Sequence, residues 1–352
     1  MDNSSFEDAA NTTLDSCSSI LRNQAFRFVL YGFFFVGIIC TVVGNFLVVL
    51  SISYFKQLQS PTNSFLMSLA VADCLVGLVV MPYSMIRTVE GCWYFGSLFC
   101  QLHSSLDVML CTASILHLSC IAFDRYYAVC NPLVYYLKMS QGRVAFLIVT
   151  CWAVPMLISF VPITLDLHIA GVHILLPQDV CVFLVNRIYA VMASLIAFYL
   201  PMAIMLVAYW KIFKAARRQA RQISAMESQM AAGVGKDSSK KKKHRNTMKR
   251  EQKAAKTLGI IMGVFLIFWM PFFTLNIVDP FIDYSTEVII WDIFLWLGYI
   301  NSSLNPFLYG FFNRSFRKAF LMFIGCRVCQ PGISSGMELS HTRKEANDRA
   351  DK

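Results

Sequence analysis

The sequence predicts an all-α membrane protein, a bundle of seven transmembrane helices with a short amphipathic helix after the last span. Three observations carry this. The composition is 57% hydrophobic against 15% charged, with a mean hydropathy of +0.55, which argues against a pair of soluble domains. From Phe28 to Phe55 no residue is charged, a run longer than the roughly 20 residues that a helix needs to cross a bilayer. Comparable runs recur, and basic residues gather between only some of them.

Spans are expected near 28–54, 62–86, 99–130, 144–165, 188–210, 257–279 and 288–312, which puts the two ends on opposite sides. Segment 211–256 holds fifteen Lys and Arg residues, whereas the opposite loops offer little beyond Arg87 and Arg187. The bias of basic residues toward the cytoplasm therefore places 211–256 inside and the N-terminus outside. Residues 1–27 lack the basic and short apolar regions of a cleaved signal, so the first span reads as a signal anchor behind an outer tail. Sequons at Asn3 and Asn11 fit glycosylation of that tail.

The twelve cysteines divide into four outside (Cys17, Cys92, Cys100, Cys181), six in spans and two in the tail (Cys326, Cys329). Only the outer four meet an oxidising medium. Cys100, at the outer end of span three, and Cys181, in the loop after span four, make the best pair; pairing of Cys17 with Cys92 stays open. The inner stretch KKKKHRNTMKR and its Gly/Ser-rich lead-in have no apolar periodicity and read as partly disordered linker. Tethered between two spans, this run suits anionic lipid or an acidic partner and not nucleic acid. In the final segment, 313–352, RSFRKAFLMFIGCRVC reads as an amphipathic helix on the inner leaflet, with Cys326 and Cys329 as palmitoylation candidates.

The chemistry starts in HSSLDVMLCTAS, residues 103–114, where Asp107 sits in an apolar span. An unpaired charge at a helix centre costs about 2.5–3.5 kcal/mol on insertion scales. No Lys or Arg lies at comparable depth, since Arg87 and Arg187 sit at helix ends where they can snorkel. The missing cation is expected to be the ammonium of an external ligand, with Tyr299 as hydrogen-bond donor in its absence. Trp269, Phe272 and Phe273 share a face of span six, and Trp296 and Tyr299 share a face of span seven. Rings around a carboxylate favour a cation. Arg125, eighteen residues after Asp107, shares its face about 27 Å along the axis, near the cytoplasm.

At these residues the chain resembles a class A (rhodopsin-like) G-protein-coupled receptor over essentially all seven spans. GNFLVV places Asn45, LAVAD places Asp73, and DRYYAV places Asp124, Arg125 and Tyr126. Trp152 and Pro201 occupy spans four and five, FWMP supplies Trp269 and Pro271, and NPFLY supplies Asn305, Pro306 and Tyr309. Asp107 matches the amine-anchoring aspartate of aminergic receptors. Stretches such as SISYFKQLQSPTN, VMPYSMIR, CWYFG and KTLGIIMGVFLIFWMPFF resemble trace amine-associated receptors in particular. Two departures mark a divergent member: Ser315 stands where that family's signature expects Trp, and the loop before span five has one cysteine, Cys181, where many members have two.

The resemblance implies a cell-surface, non-enzymatic receptor that activates a heterotrimeric G protein, by family expectation the stimulatory type that raises cyclic AMP, and that also engages arrestin. The ligand site would comprise Asp107, Val108, Cys111, Thr112, Ser194, Trp269, Phe272, Phe273, Trp296 and Tyr299. Agonist near Trp269 would swing the inner half of span six outward about the kink at Pro271. Glu251 would pair with Arg125 at rest, Tyr209 and Tyr309 would steady the open form, and Pro132 and Leu133 would form a second docking point. Asp73, Ser114, Asn301, Ser302 and Asn305 resemble the class's sodium pocket, the one ion expected as an allosteric modulator in a protein otherwise without cofactor.

For the ligand, Ala193, Ser194 and Ala197 replace most serines of catecholamine receptors, so a phenolic or aliphatic amine fits better. Asp279 and Asp292 at the outer rim are candidates for the second ammonium of a diamine or polyamine; a serotonin- or histamine-like receptor is the alternative. A light receptor of this fold would need a lysine in span seven, and a transporter repeated halves with broken helices; neither is present in the sequence.

Overall fold

The computed structural model describes residues 24–172, 180–231, 259–260 and 262–325. Its membrane helices are Gln24–Tyr54, Pro61–Glu90, Gly96–Cys130, Gln141–Thr164, 187–231, Met262–Phe281 and Val288–Phe312, referred to as spans one to seven. A short helix, Pro132–Lys138, follows span three, and Arg314–Ile324 follows span seven. No strand occurs among the described residues.

Local sequence sets these ends. Ser60 caps span two, its side chain accepting from the Asn63 backbone N–H at 3.2 Å with Pro61 at the first helical position, while Gly91 closes the span at φ 69°. Only a residue without Cβ adopts that left-handed closure freely. Asn186 starts span five: its carboxamide oxygen accepts from the Tyr189 N–H at 2.8 Å, and its NH₂ group donates to Leu167 and Ala170 carbonyls.

Prolines shape the interior of the bundle. Spans two and five each contain one wide, π-helical turn, Val76–Val80 ahead of Pro82 and Leu195–Tyr199 ahead of Pro201. A proline cannot donate to the carbonyl one turn back and its ring crowds that carbonyl, so the helix takes in an extra residue there. The turns rotate the outer part of each span and so decide which side chains face inward.

Among the described residues, six helices are long and apolar enough to cross a membrane. Span seven is less apolar because it carries Asp292, Asn301, Ser302, Ser303 and Asn305, the last four of which are buried inside the bundle. Span three lies at the centre, against spans two, four and five. Side-chain hydrogen bonds fasten span one to span seven at the inner half: Thr41 to Ser303 at 2.5 Å and the Asn45 amide to the Ser302 carbonyl at 3.0 Å.

The Cys100–Cys181 disulfide is present, with Cα atoms 5.8 Å apart. Cys92 is also disulfide-bonded; Cys17 lies outside the described residues. The six cysteines within spans are free thiols.

The boundaries shift in one informative place. The expected inner loop begins at 211, yet the helix of span five runs on to Ala231, because AARRQARQISAMESQMA is built almost wholly from good helix formers. The KKKKHRNTMKR stretch and Glu251 lie outside the described residues, as do Asn3, Asn11, Cys326 and Cys329. The helix after span seven behaves as an amphipath, with Phe316 and Ala319 buried and Leu321 and Ile324 exposed. Its cap is Asn313, whose side-chain oxygen accepts from the N–H of Ser315 at 3.0 Å.

Candidate functional site: an acid-lined cavity above an inner arginine

A cavity of about 700 Å³ occupies the outer half of the bundle, a size typical of small-molecule sites. Asp107 lines it from span three. One carboxylate oxygen accepts the Tyr299 hydroxyl at 2.6 Å and the other the Cys111 thiol at 3.3 Å. Tyr299 itself is fully buried and stands behind the carboxylate. The three salt bridges among the described residues, Arg27–Glu90, Arg125–Asp124 and Arg187–Asp283, leave Asp107 without a cation.

The support behind Asp107 extends further than sequence reasoning reached. Because Tyr299 gives its one proton to the carboxylate, its oxygen accepts from Ser84, 3.2 Å away. Ser84 in turn lies 3.4 Å from His103 Nε2, which donates to the Val80 carbonyl at 3.1 Å. A carbonyl only accepts, so this contact fixes the proton on Nε2.

Aromatic rings line the same cavity as the acid. Trp296 stacks on Phe34 at 3.9 Å, meets Tyr299 edge-on at 5.3 Å, and its indole N–H donates to Thr88 Oγ1 at 3.1 Å. At the floor, Trp269 lies 5.8 Å from Phe272 and 5.7 Å from Phe273, and Phe273 stacks on Phe198 at 4.6 Å. Val108, Cys111 and Thr112 add one face of span three to the lining. Opposite, the Asn276 amide donates to Ser194 Oγ at 3.0 Å, both buried and both lining the cavity, with Ala193 and Ala197 alongside. Asn276 was not legible as a site residue from sequence; its place one turn above Phe272 is the signal that could have found it.

The two rim acids also line the cavity but have other neighbours. Asp279 is buried and accepts from the Thr286 N–H at 3.2 Å, holding the loop between spans six and seven. Asp292 shares the cavity lining with Thr88 and Arg87. The roof is the segment after Cys181, where Val182 and Phe183 line the cavity. The Tyr284 hydroxyl, pushed above its usual range by burial, donates to the Val185 carbonyl at 2.8 Å and joins the two outer loops.

Beneath the cavity, Asp73 is fully buried and accepts from Ser114 at 3.0 Å, Ser302 at 2.8 Å and the Asn305 amide at 2.8 Å. Asn301 is adjacent in sequence, but its amide nitrogen is buried without a hydrogen-bond partner. A carboxylate with two hydroxyl oxygens is a donor set suited to a hard cation.

At the inner end Arg125 is folded onto its neighbour Asp124, with bonds of 3.0 and 2.6 Å. Asp124 also accepts from Thr62 at 2.5 Å and Tyr135 at 2.8 Å. Burial and the Asp124 charge raise the Tyr135 phenol, so it stays a donor. Tyr126 carries Lys211 over its ring at 5.3 Å. The Tyr209 and Tyr309 hydroxyls are buried without hydrogen-bond partners. On the short inner helix Pro132 is exposed and Leu133 is 93% exposed.

A fully helical membrane bundle with an acid-centred outer cavity and an arginine at the inner end of span three defines a class. Residues 44–309 match the family described as 7 transmembrane receptor (rhodopsin family), and the chain belongs to that family. It is a receptor, not an enzyme. Within the family it is 45% identical to the 5-hydroxytryptamine receptor 4 of Cavia porcellus, over 87% of this chain and 83% of that protein. It is 43% identical to trace amine-associated receptor 4 of Mus musculus, over 90% of each, and 42% identical to trace amine-associated receptor 1 of Homo sapiens, over 91% and 94%. The resemblance to trace amine-associated receptors therefore holds, with a serotonin receptor at similar identity.

Proposed function

We propose that this receptor sits in the plasma membrane with its N-terminus outside, binds a biogenic monoamine through Asp107, and activates a heterotrimeric G protein of the stimulatory type, raising cyclic AMP. The carrying observation is a cavity-lining carboxylate whose side-chain partners are a hydroxyl and a thiol, neutral groups that orient it without cancelling its charge. Trp296, Trp269 and Phe272 supply ring faces for the cation. Ser194 and Asn276, on the opposite wall, suit a hydroxyl on the ligand's ring. That pair favours a phenolic or hydroxyindole amine over a diamine, since Asp279 already holds a loop.

In this reading, occupancy near Trp269 biases span six toward its open position, and Arg125 exchanges Asp124 for the partner's terminal helix. A ligand achieves this only by binding the two states unequally. Glu251 as the resting partner of Arg125, Leu133 and Pro132 as a second docking point, sodium at Asp73 and arrestin as a later partner belong to the same proposal. The test is a cyclic AMP assay in cells expressing the full chain, challenged with tyramine, 2-phenylethylamine, serotonin, histamine and a diamine series. Responses to phenolic or indole amines that vanish in Asp107→Asn support it; responses that survive that change refute it.

A further inference from the structure

A second cavity, of about 1010 Å³, opens on the outer flank of the bundle, bounded by the loop after span four, the outer turns of span five and the loop after span six. It shares Tyr189, Pro280 and Tyr284 with the Asp107 cavity, but the rest of its lining differs in kind. Two opposite charges, Arg187 and Asp283, line it together with the apolar side chains of Leu167, Ile188 and Met192. Those three are all exposed, Ile188 by 78%. Leu195, also exposed, continues the face of Ile188 and Met192 one turn further along the helix. The apolar part of the groove therefore runs on into the surface of span five that meets lipid.

The charged groups are held in place without being used up. Arg187 donates through Nε to the Pro280 carbonyl at 2.9 Å and lies over the Phe281 ring at 5.4 Å. Its approach to Asp283 is long, 3.5 Å, and the Asp283 side chain is 92% exposed. Such an exposed pair contributes little by itself. A guanidinium carries five N–H donors, and among the described residues Pro280 and Asp283 are the hydrogen-bond partners of this one. Most of the Arg187 fork thus remains for a phosphate, which guanidinium groups bind in two-pronged fashion. The Tyr189 and Tyr284 hydroxyls donate to the Ile158 and Val185 carbonyls at 3.1 and 2.8 Å. Both rings are therefore fixed beside the groove, and tyrosines gather at the level of lipid headgroups.

We propose that this groove binds a choline phospholipid of the outer leaflet, with its phosphate on Arg187, its quaternary ammonium at Asp283 and its acyl chains along Ile188, Met192 and Leu195. The charges select the headgroup. An anionic lipid would satisfy Arg187 but set a second negative charge beside Asp283, whereas a zwitterion meets both, and aromatic rings such as that of Tyr284 favour a quaternary ammonium. The apolar strip selects a lipid over a soluble zwitterion, which would leave that part of the groove unfilled. The bound headgroup ties the outer end of span five to the loop after span six, at the wall that Tyr189, Pro280 and Tyr284 share with the Asp107 cavity. This site does not depend on the amine reading of Asp107.

The test places the purified full chain in phosphatidylglycerol nanodiscs carrying a trace of phosphatidylcholine with a photoreactive diazirine in its acyl chain, and maps the labelled residues by mass spectrometry after illumination. Residues 188–195 are expected to be labelled more heavily than residues 29–36 of span one, where Val29 and Val36 are also exposed. Arg187→Gln and, independently, Asp283→Asn should each lower labelling of 188–195 about threefold and leave that of 29–36 unchanged, so the span-one stretch controls for folding and for lipid content. Excess unlabelled phosphatidylcholine should abolish the difference, and water-soluble glycerophosphocholine should not. Equal labelling of the two stretches, or labelling of 188–195 unchanged in either variant, overturns the proposal. Competition by glycerophosphocholine as strong as by the lipid would assign the groove to a soluble zwitterion and overturn it as well.

Discussion

Tyr299 of span seven donates its hydroxyl to Asp107 of span three at 2.6 Å, joining two helices behind the cavity wall. The same tyrosine accepts from Ser84 of span two, so three spans meet at one phenol oxygen. Removing that oxygen leaves a cavity-facing carboxylate short of a donor. A hydrogen bond to a charged group contributes about 1.5–3 kcal/mol. Tyr299→Phe is therefore expected to lower the thermal midpoint of the purified receptor by several degrees. The further stabilisation given by saturating amine should grow, because the ammonium then supplies the lost partner; an unchanged ligand-induced shift would refute this account.

Gly298 sits directly against the Trp269 indole. A Cβ added there would lie 2.7 Å from two ring carbons, well inside van der Waals contact. Gly298→Ala is expected to push Trp269 from its place at a cost of about 1–3 kcal/mol and to change basal cyclic AMP. Trp269→Phe in the same chain should recover most of the lost thermal stability. Additive losses in the double variant would show that the two positions do not communicate.

The Asp124 carboxylate is held by Thr62 and Tyr135 as well as by Arg125. Thr62→Val or Tyr135→Phe removes one neutral donor and loosens the arrangement that keeps Arg125 folded back. A loss of about 1.4 kcal/mol shifts a two-state balance tenfold. Both variants should raise ligand-independent cyclic AMP, with Tyr135→Phe leaving amine affinity at the outer cavity within about threefold. Basal signalling equal to that of the unmodified receptor would count against a resting role for this cluster.

Ser194 and Asn276 form a hydrogen-bonded polar pair in the cavity wall, which the proposed function sets against the ligand's ring. Ser194→Ala and Asn276→Leu are expected to cut the potency of tyramine about tenfold or more, while 2-phenylethylamine, which lacks the hydroxyl, changes little. Equal losses for both amines would move the pair from ligand recognition to helix packing.

Much of this was readable in the amino-acid order because a membrane leaves few choices. Long charge-free runs must be helices, the basic bias of 211–256 orients them, and an acid at 107 in such a run demands a partner. The family resemblance singled out Asp73, Trp269 and Asn305; in the structure Asn305 donates to Asp73 and Trp269 lines the cavity. The continuation of span five to Ala231 was missed because a loop boundary was drawn from charge, whereas helix propensity ignores the membrane edge. Asn276, Gly298 and His103 were missed for a different reason. Each matters through a contact with another span, Ser194, Trp269 and Ser84 respectively, and no periodicity in one helix encodes the side chain facing it from the next.

The sequence by itself determined the helices and the presence of an acid inside an apolar span, since these follow from hydropathy and charge along one chain. The tertiary structure alone decided what surrounds that acid: a tyrosine behind it and a serine–asparagine pair in the wall of the same cavity. The wide turns ahead of Pro82 and Pro201 rotate whole helix ends, and which faces then meet is settled only when the helices pack.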